Sequence, residues 1–128
     1  MARCCICVLL ATSLSALANS AAAADWPQWR GEHRDGRVLG ERSPSSLSAD
    51  LTPLWRHPVG PGLSSPVVTG DTLVYLDEQS GQETVHVISA ATGQELRKSA
   101  FAESFGDEWG SGPRSTPVLD GDRLYVQS

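Results

Sequence analysis

An internal repeat constrains this chain more than any other feature. Ser64–Leu73 (SSPVVTGDTL) aligns without gaps on Ser115–Leu124 (STPVLDGDRL), with six of ten positions identical at an offset of 51 residues. Both copies run on into apolar residues, Val74-Tyr75-Leu76 and Tyr125-Val126. A chain that repeats at this interval builds one supersecondary unit more than once. Each unit then buries its apolar faces against its neighbours.

Between the copies, short apolar runs alternate with turn residues. Ser65–Thr69 precedes Gly70-Asp71, Leu73–Leu76 precedes Ser80-Gly81, Thr84–Ile88 precedes Thr92-Gly93, and Glu95-Leu96-Arg97 follows. Runs of about five residues at spacings of roughly 8–12 predict four strands, and no stretch holds helical spacing. Leu73–Leu76 is apolar at four successive positions, whereas a strand with one wet face alternates. This strand is therefore expected to be covered on both faces. Four strands in a repeat of about 40–50 residues is the layout of a propeller blade. The expected fold is all-β, a β-propeller of four-stranded antiparallel blades. Residues 64–128 would hold the first blade and the start of a second, about one and a half blades. Closure takes about 4–8 blades, so the chain reads as the N-terminal part of a longer protein.

Residues 1–24 read as a leader. Arg3 precedes an apolar core, Ile6–Leu17, and Ala22-Ala23-Ala24 before Asp25 offers a small-residue cleavage site, with Ala16-Leu17-Ala18 as an earlier alternative. This is the layout of a secretory signal peptide, and it implies a periplasmic or extracellular protein. No later apolar run reaches the roughly 20 residues of a spanning helix, so no transmembrane span is expected after it. All three cysteines, Cys4, Cys5 and Cys7, fall in this leader. A processed chain would carry neither a disulfide nor a cysteine metal site. Residues 25–63 are rich in Pro, Gly, Ser and Arg and read as an irregular lead-in packing through Trp26, Trp29 and Trp55. Leu54–Val59 is expected as a short strand before the Gly60-Pro61-Gly62 breakers.

Ten Lys and Arg against fifteen Asp and Glu give a formal net charge of −5, and removal of Arg3 with the leader takes it to −6. The densest cationic group, Arg30, Arg34, Arg37 and Arg42, is interleaved with Glu32, Asp35 and Glu41. An acidic chain without a basic stripe is not expected to bind nucleic acid.

The strand-and-turn run Ser65-Pro66-Val67-Val68…Leu73-Val74-Tyr75, followed by Val85-His86-Val87-Ile88-Ser89-Ala90-Ala91-Thr92-Gly93-Gln94-Glu95-Leu96, resembles a PQQ-like β-propeller repeat. Its most specific part is Ala90–Leu96, similar to the family's A-x-T-G-K-x-L-W turn. Asp25-Trp26-Pro27-Gln28-Trp29-Arg30-Gly31 and Gly110–Pro117 are similar to segments of exported, BamB-like members. The resemblance spans residues 25–128. It implies that Leu54-Trp55-Arg56 is an outer strand closing the ring against a last blade. It also places the family's docking tryptophan at residue 97, which here is Arg97, while Trp55 keeps the pattern at its own position. The unit holding Arg97 should then lack one inter-blade tryptophan contact.

Two functions follow from the resemblance. The first is a non-catalytic scaffold that binds a protein or peptide partner. The alternative is the N-terminal part of a PQQ-dependent dehydrogenase. Such enzymes carry an adjacent Cys-Cys disulfide and Glu, Asn and Asp ligands to calcium. The only adjacent cysteines here, Cys4-Cys5, are in the leader, so PQQ and calcium are expected only if a longer protein supplies their site. No catalytic or metal-ligating residue is assigned.

The histidines His33, His57 and His86 lack metal-ligand spacing. His86, between Val85 and Val87, reads as a half-buried strand residue, and His33 and His57 as solvated. Asp77-Glu78 reads as a solvated turn, since neighbours on a strand face opposite ways. Asp71 and Asp122 read as hairpin-turn residues. Glu103–Arg114 is long for a connection and mixes acids, aromatics and glycines. Long loops on rigid scaffolds often carry function. Asp107, Glu108, Trp109 and Arg114 are therefore the candidate binding-surface residues, against the simpler expectation that Phe105 and Trp109 tack the loop onto the sheet.

Overall fold

Positive-φ turn residues set the strand pairing. In a computed structural model, which describes residues 24–38 and 46–128, Ser80 (φ 55°) and Gly81 (φ 80°) make a two-residue turn with both residues left-handed. That conformation matches the twist of an antiparallel hairpin. It joins β2 (Thr72–Gln79) to β3 (Gln82–Ser89) in a continuous eight-residue register, from Gln79 opposite Gln82 to Thr72 opposite Ser89. Gly70 (φ 56°) turns the chain between β1 (Val67–Thr69) and β2. β4 (Glu95–Glu103) completes a four-stranded antiparallel sheet in the order β1-β2-β3-β4. Two small hairpins follow: β5 (Gly106–Asp107) with β6 (Gly110–Ser111), and β7 (Val118–Asp120) with β8 (Arg123–Tyr125).

The protein is all-β: among the described residues there is no helix, and so none long and apolar enough to cross a membrane. The expected signal peptide lies outside the described residues apart from Ala24, as does Arg42.

The repeat is realised as two hairpins of identical register. Val67, Val68 and Thr69 face Val74, Leu73 and Thr72, while Val118, Leu119 and Asp120 face Tyr125, Leu124 and Arg123. Gly121 (φ 59°) repeats the role of Gly70. The lead-in stitches the copies together at equivalent positions. Trp26 exchanges both backbone hydrogen bonds with Val68 (2.7 and 2.9 Å), and the carbonyl of Pro27 accepts from Leu119 N (2.8 Å). Ser65 N also donates to Thr116 Oγ1, its counterpart one repeat later (3.3 Å).

The core lies on both faces of β2. Val67, Val74 and Ile88 are each 1 % exposed, and Leu76 is 4 % exposed. Burial of one such side chain stabilises by about 1.5–3 kcal/mol. Two-sided cover of the Leu73–Leu76 run is thus observed for Val74, Tyr75 and Leu76, with Leu73 half-buried.

Two strand expectations are corrected. Residues 54–59 form no strand. Pro53 and Pro58 lack ladder donors, and the segment is held across the sheet instead of along its edge. Gly60 N donates to Asp77 Oδ2 (2.7 Å), Glu78 N donates to the Pro61 carbonyl (2.7 Å), and His57 meets Tyr75 edge-on with ring centroids 5.7 Å apart. Asp77 and Glu78 are not in a turn. β2 runs on through Gln79, and Asp77 is 1 % exposed beneath the 55–62 strap.

Candidate functional site

The β3–β4 connection is built around Asp71. Its Oδ2 accepts from Ser89 Oγ (2.9 Å) and its Oδ1 from Ala91 N (2.7 Å), and its carbonyl accepts from Ala90 N (2.8 Å). Asp71 thereby does more than favour a hairpin turn: it ties one turn of the sheet to the next. Trp55 docks on the product. Its Nε1 donates to the Ala90 carbonyl (2.8 Å), and its ring lies so close to Gly93 (φ 71°) that a Cβ there would sit 2.6 Å from a ring carbon. Only glycine fits that approach and that φ together. Arg97, the other position weighed for a docking tryptophan, is exposed on β4.

The expected binding residues meet in one exposed hairpin. Arg114 grips Asp107 through two hydrogen bonds, Nη1 to Oδ2 at 2.9 Å and Nη2 to Oδ1 at 2.6 Å, and also donates to the Gly110 carbonyl (3.2 Å). This paired geometry is the strong form of the Arg–carboxylate contact. It holds the Asp107 carboxyl below its usual range and raises the Arg114 guanidinium. Asp107 Oδ1 also accepts from Trp109 N (2.9 Å), so one carboxylate fixes the turn from both sides. Glu108 is exposed at the tip.

The tacking expectation for the aromatics is overturned. Trp109 is 75 % exposed and Phe105 60 % exposed. Short β5–β6 pairing and the Asp107–Arg114 pair hold the loop, so its rings are left in solvent. Arg114 lies over the Phe105 ring, 5.3 Å from its centroid. The hairpin rests on Glu78, whose carboxyl is held below its usual range by the Ser111 hydroxyl foremost, and by Ser104.

A second constellation was missed in the sequence. His86 is 3 % exposed, with a carboxylate on each ring nitrogen: Asp77 Oδ1 lies 2.8 Å from Nε2 and Glu95 Oε2 lies 2.9 Å from Nδ1. Tyr75 stacks on the imidazole, with centroids 4.5 Å apart and planes at 6°. Burial first, then the charges of Asp77 and Glu95, push the Tyr75 hydroxyl up to about 12. The reading of His86 as half-buried is corrected, as is that of His57 as solvated; His33 is exposed as expected. A signal was present. The two-residue turn at Ser80-Gly81 puts Tyr75 opposite His86 and Asp77 two residues away on the same face.

Between the strap and the sheet lies an apolar cavity of about 300 Å³, lined by Trp55, Val59, Pro66, Leu73, Tyr75 and Ile88 among others. Beside it His57, Tyr75, His86, Glu95 and Lys98 line an open cleft of about 460 Å³. Among the described residues no group of three or more His, Cys, Asp and Glu is arranged to hold a metal ion. Asp77 and Glu95 are both engaged by one imidazole, which is not a shared-ligand geometry.

The chain matches no known family, no curated protein and no solved structure.

Proposed function

We propose that this chain is an exported segment of a PQQ-like β-propeller that serves as a binding or assembly scaffold, with the 103–114 hairpin as its docking surface. The observation that carries the reading is the repeat: two hairpins of one register, joined at equivalent residues by Trp26 and Pro27. Radial repetition of one such unit is how a propeller is built. Trp55 on the Ala90–Gly93 turn supports it, as a tryptophan contact reaching from outside the sheet.

The docking chemistry follows from the hairpin. Trp109 and Phe105 supply exposed aromatic surface, and Arg114 is neutralised by Asp107. Glu78, Glu103 and Glu108 then leave the patch acidic. A peptide carrying Lys or Arg beside an apolar side chain fits, through cation–π contact with Trp109 and charge attraction.

Selection of displayed peptides against the intact protein tests this. Enrichment of peptides pairing Lys or Arg with an apolar side chain, whose binding weakens tenfold or more in Trp109→Ala, is the expected result, in the range of an interface anchor of about 1.4 kcal/mol or more. Peptides that bind Trp109→Ala as well as the parent protein would remove the hairpin from the proposal. Export is checked separately, by amino-terminal sequencing of the protein recovered outside the cytoplasm, with Asp25 expected as the first residue.

A further inference from the structure

The Asp77–His86–Glu95 constellation poses a proton-counting problem. Each imidazole nitrogen faces a carboxylate oxygen at hydrogen-bond distance. A neutral imidazole has one N–H, so one of its nitrogens would turn a lone pair onto a carboxylate oxygen less than 3 Å away. The buried arrangement is satisfied when both nitrogens carry protons.

The two carboxylates differ in what holds them. Asp77 is buried, and its Oδ2 accepts from Gly60 N (2.7 Å) and Gln79 Nε2 (2.9 Å), so it stays in place whatever His86 does. Glu95 has a side chain 40 % exposed and sits beside the irregularity where β3 and β4 shift register between Val87 and Ile88. Its path into water is open.

We propose that His86 holds a proton on each nitrogen and that this proton is a latch on the entry end of β4. When the Nδ1 proton leaves, Glu95 swings to solvent, the Glu95–Arg97 stretch loosens, and the cleft beside it widens. Nε2–H stays on Asp77, and the strap stays anchored through Gly60. The other groups facing the imidazole are Tyr75 from β2, Lys98 from β4 and His57 from the strap. The hydrogen bond from His86 foremost, then the charges of His86, Lys98 and His57, hold the Glu95 carboxyl below its usual range. Glu95 Oε2 is thus the acceptor that faces Nδ1.

Nitrogen-15 NMR of the His86 ring across about pH 5 to 9, with backbone amides followed in parallel, tests the latch. The expected result is a ring protonated on both nitrogens at the acid end. A single step then removes the Nδ1 proton, with the Glu95, Leu96 and Arg97 amides shifting at the same midpoint. Glu95→Gln is the decisive variant, because a carboxamide at this half-exposed site partners either imidazole form and does not threaten folding. It should remove the step from the β4 amides, because the carboxamide keeps its place against either form of the ring. A ring with one protonated nitrogen throughout, or a Glu95→Gln protein that keeps the β4 step, overturns the proposal. Both readouts are independent of any partner, so a failed peptide selection leaves this test intact.

Discussion

The two copies of the repeat share their pairing and differ in their burial. Val67 and Val118 occupy equivalent positions in hairpins of the same register, yet Val67 is 1 % exposed and Val118 is only half-buried. Val74 is likewise 1 % exposed, while its counterpart Tyr125 is 50 % exposed. The first copy has β3 beside it, the strap across one face and the Trp26 bridge on its edge. Within the described residues the second copy has a neighbour on one side only. Turn chemistry thus fixes a hairpin locally, and what lies across its faces fixes how much it stabilises.

The largest expected effect falls where the first copy's surroundings have no equivalent in the second. Gly93→Ala places a Cβ into the Trp55 ring at a left-handed φ. It should cost about 3 kcal/mol, from about 1–2 kcal/mol of backbone strain plus the loss of tryptophan docking. Denaturant unfolding monitored by tryptophan fluorescence measures it. A loss below about 1 kcal/mol would mean that Trp55 contributes little to holding the strap.

Next comes the same substitution in both copies. Val67→Ala should destabilise by about 2 kcal/mol through lost burial and a residual cavity. Val118→Ala should cost less than about half of that. Equal losses would show that context does not separate the copies.

Gly70→Ala and Gly121→Ala sharpen the shared part. Both glycines have positive φ, and neither has an atom within 4 Å of a built Cβ. Each substitution should cost about 1 kcal/mol and by similar amounts, because the strain is local. Unequal losses would show that the two turns are not equivalent.

The smallest effect belongs to the exposed hairpin. Asp107→Asn removes the ionic partner of Arg114 and should move the unfolding midpoint less than any substitution above. Its pH dependence has a fixed sign. The Asp107 carboxyl is lowered in the folded protein, so the pair's contribution is present above the ordinary carboxylate range. It is lost as pH falls through that lowered value. Parent and variant stability curves should therefore converge at acid pH, and curves that stay parallel there would remove the pair as a stabilising element.

Much of the strand pattern was legible because turn residues and apolar runs act locally. Gly70, Ser80-Gly81 and Gly121 mark hairpins whose registers follow from two-residue turns. The misreadings of Asp77 and His86 share one cause. Asp77 looks like a solvated acid and His86 like a half-exposed ring when only neighbours in sequence are considered. Both are buried because the 55–62 strap crosses their face, and nothing local to Asp77 announces a segment anchored 17 residues earlier. The candidate hairpin was legible in composition, whereas its Asp107–Arg114 grip and its exposed rings were not.

By itself the sequence determined the all-β character, the hairpin turns and the repetition of one unit at an interval of 51 residues, since these rest on backbone preferences and periodicity. Only the tertiary structure decided where Trp55 lands. It also decided that Asp77, His86 and Glu95 converge across three strands. Side chains on one sheet face meet through strand pairing and through whatever crosses that face. The identity of the crossing segment is a long-range choice that no local pattern encodes.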